Sequence, residues 1–167
     1  MTPVVSIVGK SNTGKTTFVV KLIEELKRRG YKVAVIKHNV HGFDIDHPGK
    51  DTYRHAEAGA DTVAIVSAHR FAMIKHYEEE ISVESVLDMV DAGHDLVITE
   101  GYKRGPFPKI EVSRKEHSAE LISTEDELVA LVTDNSFPID RPHFGLDDAV
   151  AVANFLEQQF SLKKGRL

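Results

Sequence analysis

At 167 residues with 41% apolar content, the chain can bury one sizeable core and hardly two, so a single compact domain over residues 1–167 is expected. A formal net charge of -5 leaves no basic footprint for nucleic acid, and the absence of cysteine excludes disulfide frameworks, thiol nucleophiles and thiolate metal sites. A reducing, cytoplasmic compartment fits that composition, and the apolar run Val4 to Val8 is far too short to span a bilayer, so no membrane partner is expected.

In chain order, the apolar period switches repeatedly between strand-like runs and helix-like stripes, the pattern of alternating β and α units around a parallel sheet. Pro3 to Val8 predicts a first strand. After a glycine-rich turn, Val19, Leu22, Ile23 and Leu26 recur at helical spacing, with Lys27, Arg28 and Arg29 in the last turn and Gly30 as cap. Lys32 to Ile36 reads as a second strand. The polar stretch Lys37 to Asp51 follows, long for a connector and therefore functional in expectation, and leads to a short helix ending near Gly59. Asp61 to Val66 and Phe71 to His76, joined by Ser67 to Arg70, suit a hairpin added to the sheet.

Val83, Val86, Leu87 and Val90 predict a helix entered at Ser82 and left at Gly93. Asp95 to Thr99 is a buried central strand that leads into Glu100-Gly101. A short strand over Lys109 to Val112, a helical turn over Ser123 to Glu127 and a strand over Leu128 to Thr133 ending in Asp134-Asn135 come next. Ala149, Val152, Ala153, Leu156 and Phe160 form a last amphipathic helix, and the basic tail Lys163 to Arg166 is too short for a nucleic-acid arm. The expected fold is α/β, a three-layer P-loop NTPase-like arrangement with a mostly parallel sheet and an added β-hairpin.

Chemistry begins at Gly9-Lys10-Ser11-Asn12-Thr13-Gly14-Lys15-Thr16, which matches the phosphate-loop (Walker A) pattern of glycine, four residues, glycine, lysine and a hydroxyl residue. The glycines let successive N–H groups point inward as an anion nest, and the following helix, from Thr16 and Thr17 onward, adds its positive end. Lys15 would bring a point charge to the β and γ phosphates, and the Thr16 hydroxyl would ligate Mg²⁺. Glu100, at the end of a central strand, lies beside such a loop in this architecture and would hold Mg²⁺ through water. Asp46, with Asp44, could reach the metal or orient an attacking water, which makes Lys15, Asp46 and Glu100 the catalytic candidates.

Lys10 stands where one class of dimeric P-loop ATPases carries a lysine reaching to the partner subunit, but the glycines of that class are replaced by Ser11 and Asn12, so a solvated loop lysine is the simpler reading. Asp134 could accept hydrogen bonds from the N1 and N2 donors of guanine, although the Asn and Lys of the usual guanine signature are missing. No residue is placed as an arginine finger; Arg54 and Arg70 are candidates. His38, His41 and His47, with Asp44 and Asp46, would suit nickel or zinc chemically, but no spacing selects a metal geometry.

Ile36-Lys37-His38, then Phe43-Asp44-Ile45-Asp46-His47-Pro48-Gly49-Lys50-Asp51, and finally Ile98-Thr99-Glu100-Gly101-Tyr102-Lys103 resemble the MobB family of molybdopterin-guanine dinucleotide biosynthesis adapter proteins, from about Val4 to Asp134. The resemblance implies a homodimeric GTP-binding protein with weak GTPase activity that assists the MobA guanylyltransferase in attaching GMP to molybdopterin. It maps the family's phosphate loop to Gly9 through Thr17, its strand-end acid to Glu100 and its Asp-rich loop to Asp44, Asp46, Lys50 and Asp51. The other readings of the same loop are a small-molecule kinase or ATP-dependent ligase, with Lys37 to Asp51 lining a pocket, and a GTP-dependent metallochaperone using the three histidines.

Overall fold

Apolar runs of strand length separated by helix-length stretches leave little choice but a sheet whose neighbours run parallel, because each crossover returns the chain to the end of the sheet from which the previous strand started. The computed structural model describes residues 2–90 and 92–163. The elements run β1 (Val4–Val8), α1 (Lys15–Arg28), β2 (Val33–Lys37), α2 (Asp51–Glu57), β3 (Thr62–Val66), β4 (Phe71–Lys75), α3 (Val83–Val90), β5 (Leu96–Glu100), β6 (Lys109–Ser113), β7 (Leu128–Thr133), β8 (His143–Phe144) and α4 (Ala149–Gln159). They divide into two compact units, Met1–His38 with Leu87–Leu167, and Asn39–Val86.

The first unit is built on a six-stranded sheet of order β2-β5-β1-β6-β7-β8. Every neighbouring pair in it is parallel, so the α/β expectation holds. β5 and β6 are buried at all positions. On one face, Val5, Ile7, Ile98 and Val112 pack with Phe18 and Leu22 of α1 and with Val152 and Leu156 of α4. Leu22 is fully buried, and truncating such a side chain to alanine typically costs about 2–5 kcal/mol. Arg29, just past the end of α1, clamps the two helices by donating to Glu157 at 2.8 Å and Asn154 at 2.7 Å.

The opposite face carries buried polar groups, several of them satisfied within the fold. The hydroxyls of Ser6 and Thr99 share a hydrogen bond of 2.7 Å, and Glu111 accepts the backbone N–H groups of Ile122 at 2.8 Å and Ser123 at 2.9 Å. Lys109, fully buried, forms an ion pair with Glu127. Burying such groups is tolerable because each has a partner. β6 can therefore sit inside the sheet although its sequence reads as half polar.

The second unit is lighter in core. β3 and β4 form an antiparallel hairpin that pairs as its own two-stranded sheet rather than as an edge of the six-stranded one. Its apolar side chains Val66 and Phe71 are 76% and 67% exposed, so nothing in this unit covers them. Residues 38–50 contain no helix or strand, in line with the long connector expected there. The predicted helical turn before β7 is a plain turn, and β8 was not anticipated because two residues carry no periodicity. Of the basic tail, Lys164 to Arg166 lie outside the described residues.

Candidate functional site

The carboxyl ends of β1, β5, β2 and β6 bring the candidate residues of the first unit together. β1 delivers the chain into the turn Gly9 to Gly14, and the turn can fold tightly because Gly9 adopts φ +144°, a backbone region closed to other residues. A Cβ on Gly9 would be driven into the Val112 carbonyl of the neighbouring strand β6. The turn is cross-braced from within: Thr13, buried, donates its hydroxyl to the Lys10 carbonyl at 3.0 Å, and the Lys15 ammonium donates to the same carbonyl at 2.5 Å. Gly14 is the N-cap of α1 with φ 89° and offers no side-chain cap, so the first N–H groups of the helix have no side-chain acceptor from that residue.

Thr16, in the first turn of α1, donates its hydroxyl to Glu100 Oε1 at 2.7 Å. Glu100 closes β5, is 7% exposed, and has Lys37 Nζ at 3.4 Å. That ion pair follows from register, since Lys37 and Glu100 are paired residues at the ends of β2 and β5. Burial pushes the Lys15 ammonium below its ordinary value, opposed by the pull of the nearby Glu100 carboxylate. Two lysines, a hydroxyl and a carboxylate thus meet at the start of a helix whose dipole favours an anion. Just past Glu100, Gly101 has φ 92°, and a Cβ there would stand 2.9 Å from the His38 carbonyl, so the chain leaving β5 can only run this close to the end of β2 as glycine.

The remaining candidates are placed differently. Ser11 and Asn12 are exposed at the tip of the turn, Thr17 is exposed on α1, and Lys10 faces Glu120 at 3.7 Å across the surface. Asp134, exposed after β7, accepts the Lys115 N–H at 2.7 Å through Oδ1. Asp46 belongs to the second unit, where it accepts from the Thr52 hydroxyl at 2.5 Å and the His47 N–H at 2.6 Å. Those bonds, Thr52 first, hold its carboxyl below the usual range. Among the described residues no group of three His, Asp or Glu side chains gathers as a metal-ligand cluster, His38, His41 and His47 included.

Two side chains near the turn were not singled out from the sequence for a role. Lys37 was visible only as part of a motif, because its ion pair depends on which residue β5 sets opposite it. Arg114 follows β6, and its Nη2 lies 3.5 Å from where a Cβ on Gly14 would stand.

Residues 4–134 match the family model described as MobB, molybdopterin guanine dinucleotide synthesis protein B. The chain belongs to the MobB family. Among MobB relatives, the molybdopterin-guanine dinucleotide biosynthesis adapter protein of Haemophilus influenzae is 35% identical over 156 residues, covering 93% of this chain and 88% of the relative. The Escherichia coli protein of the same name is 31% identical over 170 residues, covering 99% and 97%. The crystal structure of Bacillus subtilis MobB superposes with a TM-score of 0.77 at 29% identity, over 98% of this chain and 99% of that one. The MobB model therefore takes in both units, from β1 to the end of β7, and sets the chain within molybdopterin guanine dinucleotide biosynthesis.

Proposed function

We propose that this chain is a GTP-binding adapter with weak intrinsic GTPase activity, acting as a homodimer in the cytoplasm and assisting the MobA guanylyltransferase in molybdopterin guanine dinucleotide synthesis. The observation that carries the reading is the Thr16 hydroxyl bonded to Glu100 at 2.7 Å, directly beside Lys15 at the start of α1. The names of the Haemophilus influenzae and Escherichia coli relatives support the adapter role.

In this reading the turn from Gly9 to Gly14 wraps the β phosphate with backbone N–H groups, and Lys15 exchanges its bond to the Lys10 carbonyl for the β and γ oxygens. The hydroxyl of Thr16 and the carboxylate of Glu100 are hard oxygen donors of the kind Mg²⁺ takes, and they are already adjacent, so the residues present fit that ion. Bound there, Mg²⁺ would supply charge neutralisation at the β and γ phosphates. Lys37, with its Nζ 3.4 Å from Glu100 Oε1, orients that carboxylate. Asp46 remains a candidate for orienting the attacking water, and Asp134 for reading guanine through Oδ2, since Oδ1 already has the Lys115 N–H.

Titration calorimetry with GTP and with ATP, each with Mg²⁺, tests the reading on the wild-type protein and on Lys15→Ala. GTP should bind, ATP should bind at least about 10-fold more weakly, and Lys15→Ala should lose about 10- to 100-fold in GTP affinity, the worth of a charged hydrogen bond. Wild-type affinity in Lys15→Ala would overturn the phosphate assignment, and equal or stronger ATP binding would move the chain to the kinase or ligase class.

A further inference from the structure

In an open parallel sheet, ligands settle at the carboxyl ends of the strands where the connections turn in opposite directions. Here the chain leaves β1 for β2 on one side of it, while β6, β7 and β8 lie on the other side, so that point falls between β1 and β6. Glu100 and Thr16 occupy the β5 flank of β1, and the β6 flank holds Arg114.

Arg114 has the geometry of a residue built for an acceptor. Ile110 and Val112 point into the core shared with α1 and α4, and Arg114, two residues further along, keeps the same alternation, which is why its guanidinium comes up beside Gly14 at the start of α1. Its Nε is buried and has no hydrogen-bond partner among the described residues. Next to it on β6, Ser113 is 2% exposed and its Oγ is also unpartnered. A buried guanidinium N–H without an acceptor costs free energy that a ligand oxygen would recover. Asp147 feels this cation, but Lys21 bonds that carboxylate at 2.5 Å and is the larger influence on it.

The end of the phosphate chain that Arg114 meets follows from the same layout. Thr16 and Glu100, the residues that would hold Mg²⁺ to neutralise the terminal phosphates, lie on the β5 flank. The opposite flank of the turn then faces the α phosphate. We propose that Arg114 is a nucleotide-binding residue that donates to the α-phosphate of the bound guanosine nucleotide across Gly14, and that it acts on diphosphate and triphosphate alike.

This rests on the nucleotide reading above, and the test separates the two. GTP and GDP affinities, each with Mg²⁺, are measured by calorimetry for wild type, Arg114→Gln and Arg114→Lys, alongside nucleotide-free melting curves. Arg114→Gln should lose about 10- to 100-fold for GTP and for GDP in equal proportion, and Arg114→Lys should regain part of both, with melting unchanged. If Arg114→Gln melts early, Arg114→Lys carries the decision by the same equal-loss criterion. Loss confined to GTP would put Arg114 at the γ phosphate and overturn the assignment, as would wild-type affinity for both ligands. In either case wild-type binding and its loss in Lys15→Ala would keep the nucleotide reading intact. Failure of the wild-type protein to bind either nucleotide would remove both.

Discussion

On α1 the Glu25 carboxylate accepts from Arg28 at 2.7 and 2.8 Å and from Arg29 at 2.7 Å, and these bonds hold it down to about 2 from an ordinary 4.5. A carboxylate depressed by folding stabilises the protein fully above its unfolded value and loses that contribution as the pH falls toward the folded one. Glu25→Gln should therefore lower the melting temperature at neutral pH, and the difference from wild type should fade between pH 4.5 and about 2, as thermal scans across that range would show. At the site, Thr16→Ala and Glu100→Gln should each reduce the Mg²⁺ dependence of GTP affinity by about 10-fold, checked by titration with and without the ion. The adjacency of Lys15, Thr16 and Glu100 was readable from the sequence because each sits at a fixed place in a strand-turn-helix or at a strand end. Lys37 and Arg114 were not, since their neighbours are set by pairing between strands distant in the chain. Asp46 shows the same limit from the other direction: its acidity draws attention, but its partners Thr52 and His47 are local to its own unit.

At the scale of elements, the turn between β1 and α1 depends on one contact with β6. Gly9→Ala would place a methyl group against the Val112 carbonyl and force φ +144° on a residue that resists it, strain of about 1–3 kcal/mol before any steric shift. The unfolding free energy obtained from calorimetric melting should fall by at least that amount, and GTP binding should weaken with it. The central strands were legible because strands buried on both faces read as apolar runs, and the two residues of β8 were not, because nothing periodic marks them. Burial of Lys109 and Glu111 was equally hidden, for it depends on Glu127 and on the N–H groups of Ile122 and Ser123 arriving from the following loop.

For the molecule as a whole, the proposed homodimer would pair through the hairpin of the second unit. Ile65, Val66, Phe71 and Met73 are 55%, 76%, 67% and 46% exposed on β3 and β4, and apolar side chains gathered on one hairpin mark a contact surface. Sedimentation equilibrium should return a dimer for the wild type and a monomer for Phe71→Glu. The fold class could be read in advance because alternation of strand and helix admits few sheets, whereas the boundary at residue 38 could not, since a polar connector looks alike inside a domain and between two units. The strand order has one more consequence, for the order in which the protein assembles. Among the described residues β1 pairs with β5 and β6, and β2 with β5, so both strands leave the ribosome before those neighbours exist. The β3–β4 hairpin needs no such wait. Closing the parallel sheet means bringing together ends of a long chain, which slows that step relative to local pairing. The seat of the glycine-rich turn is therefore among the last parts to form, although its residues are made before the strands that flank β1.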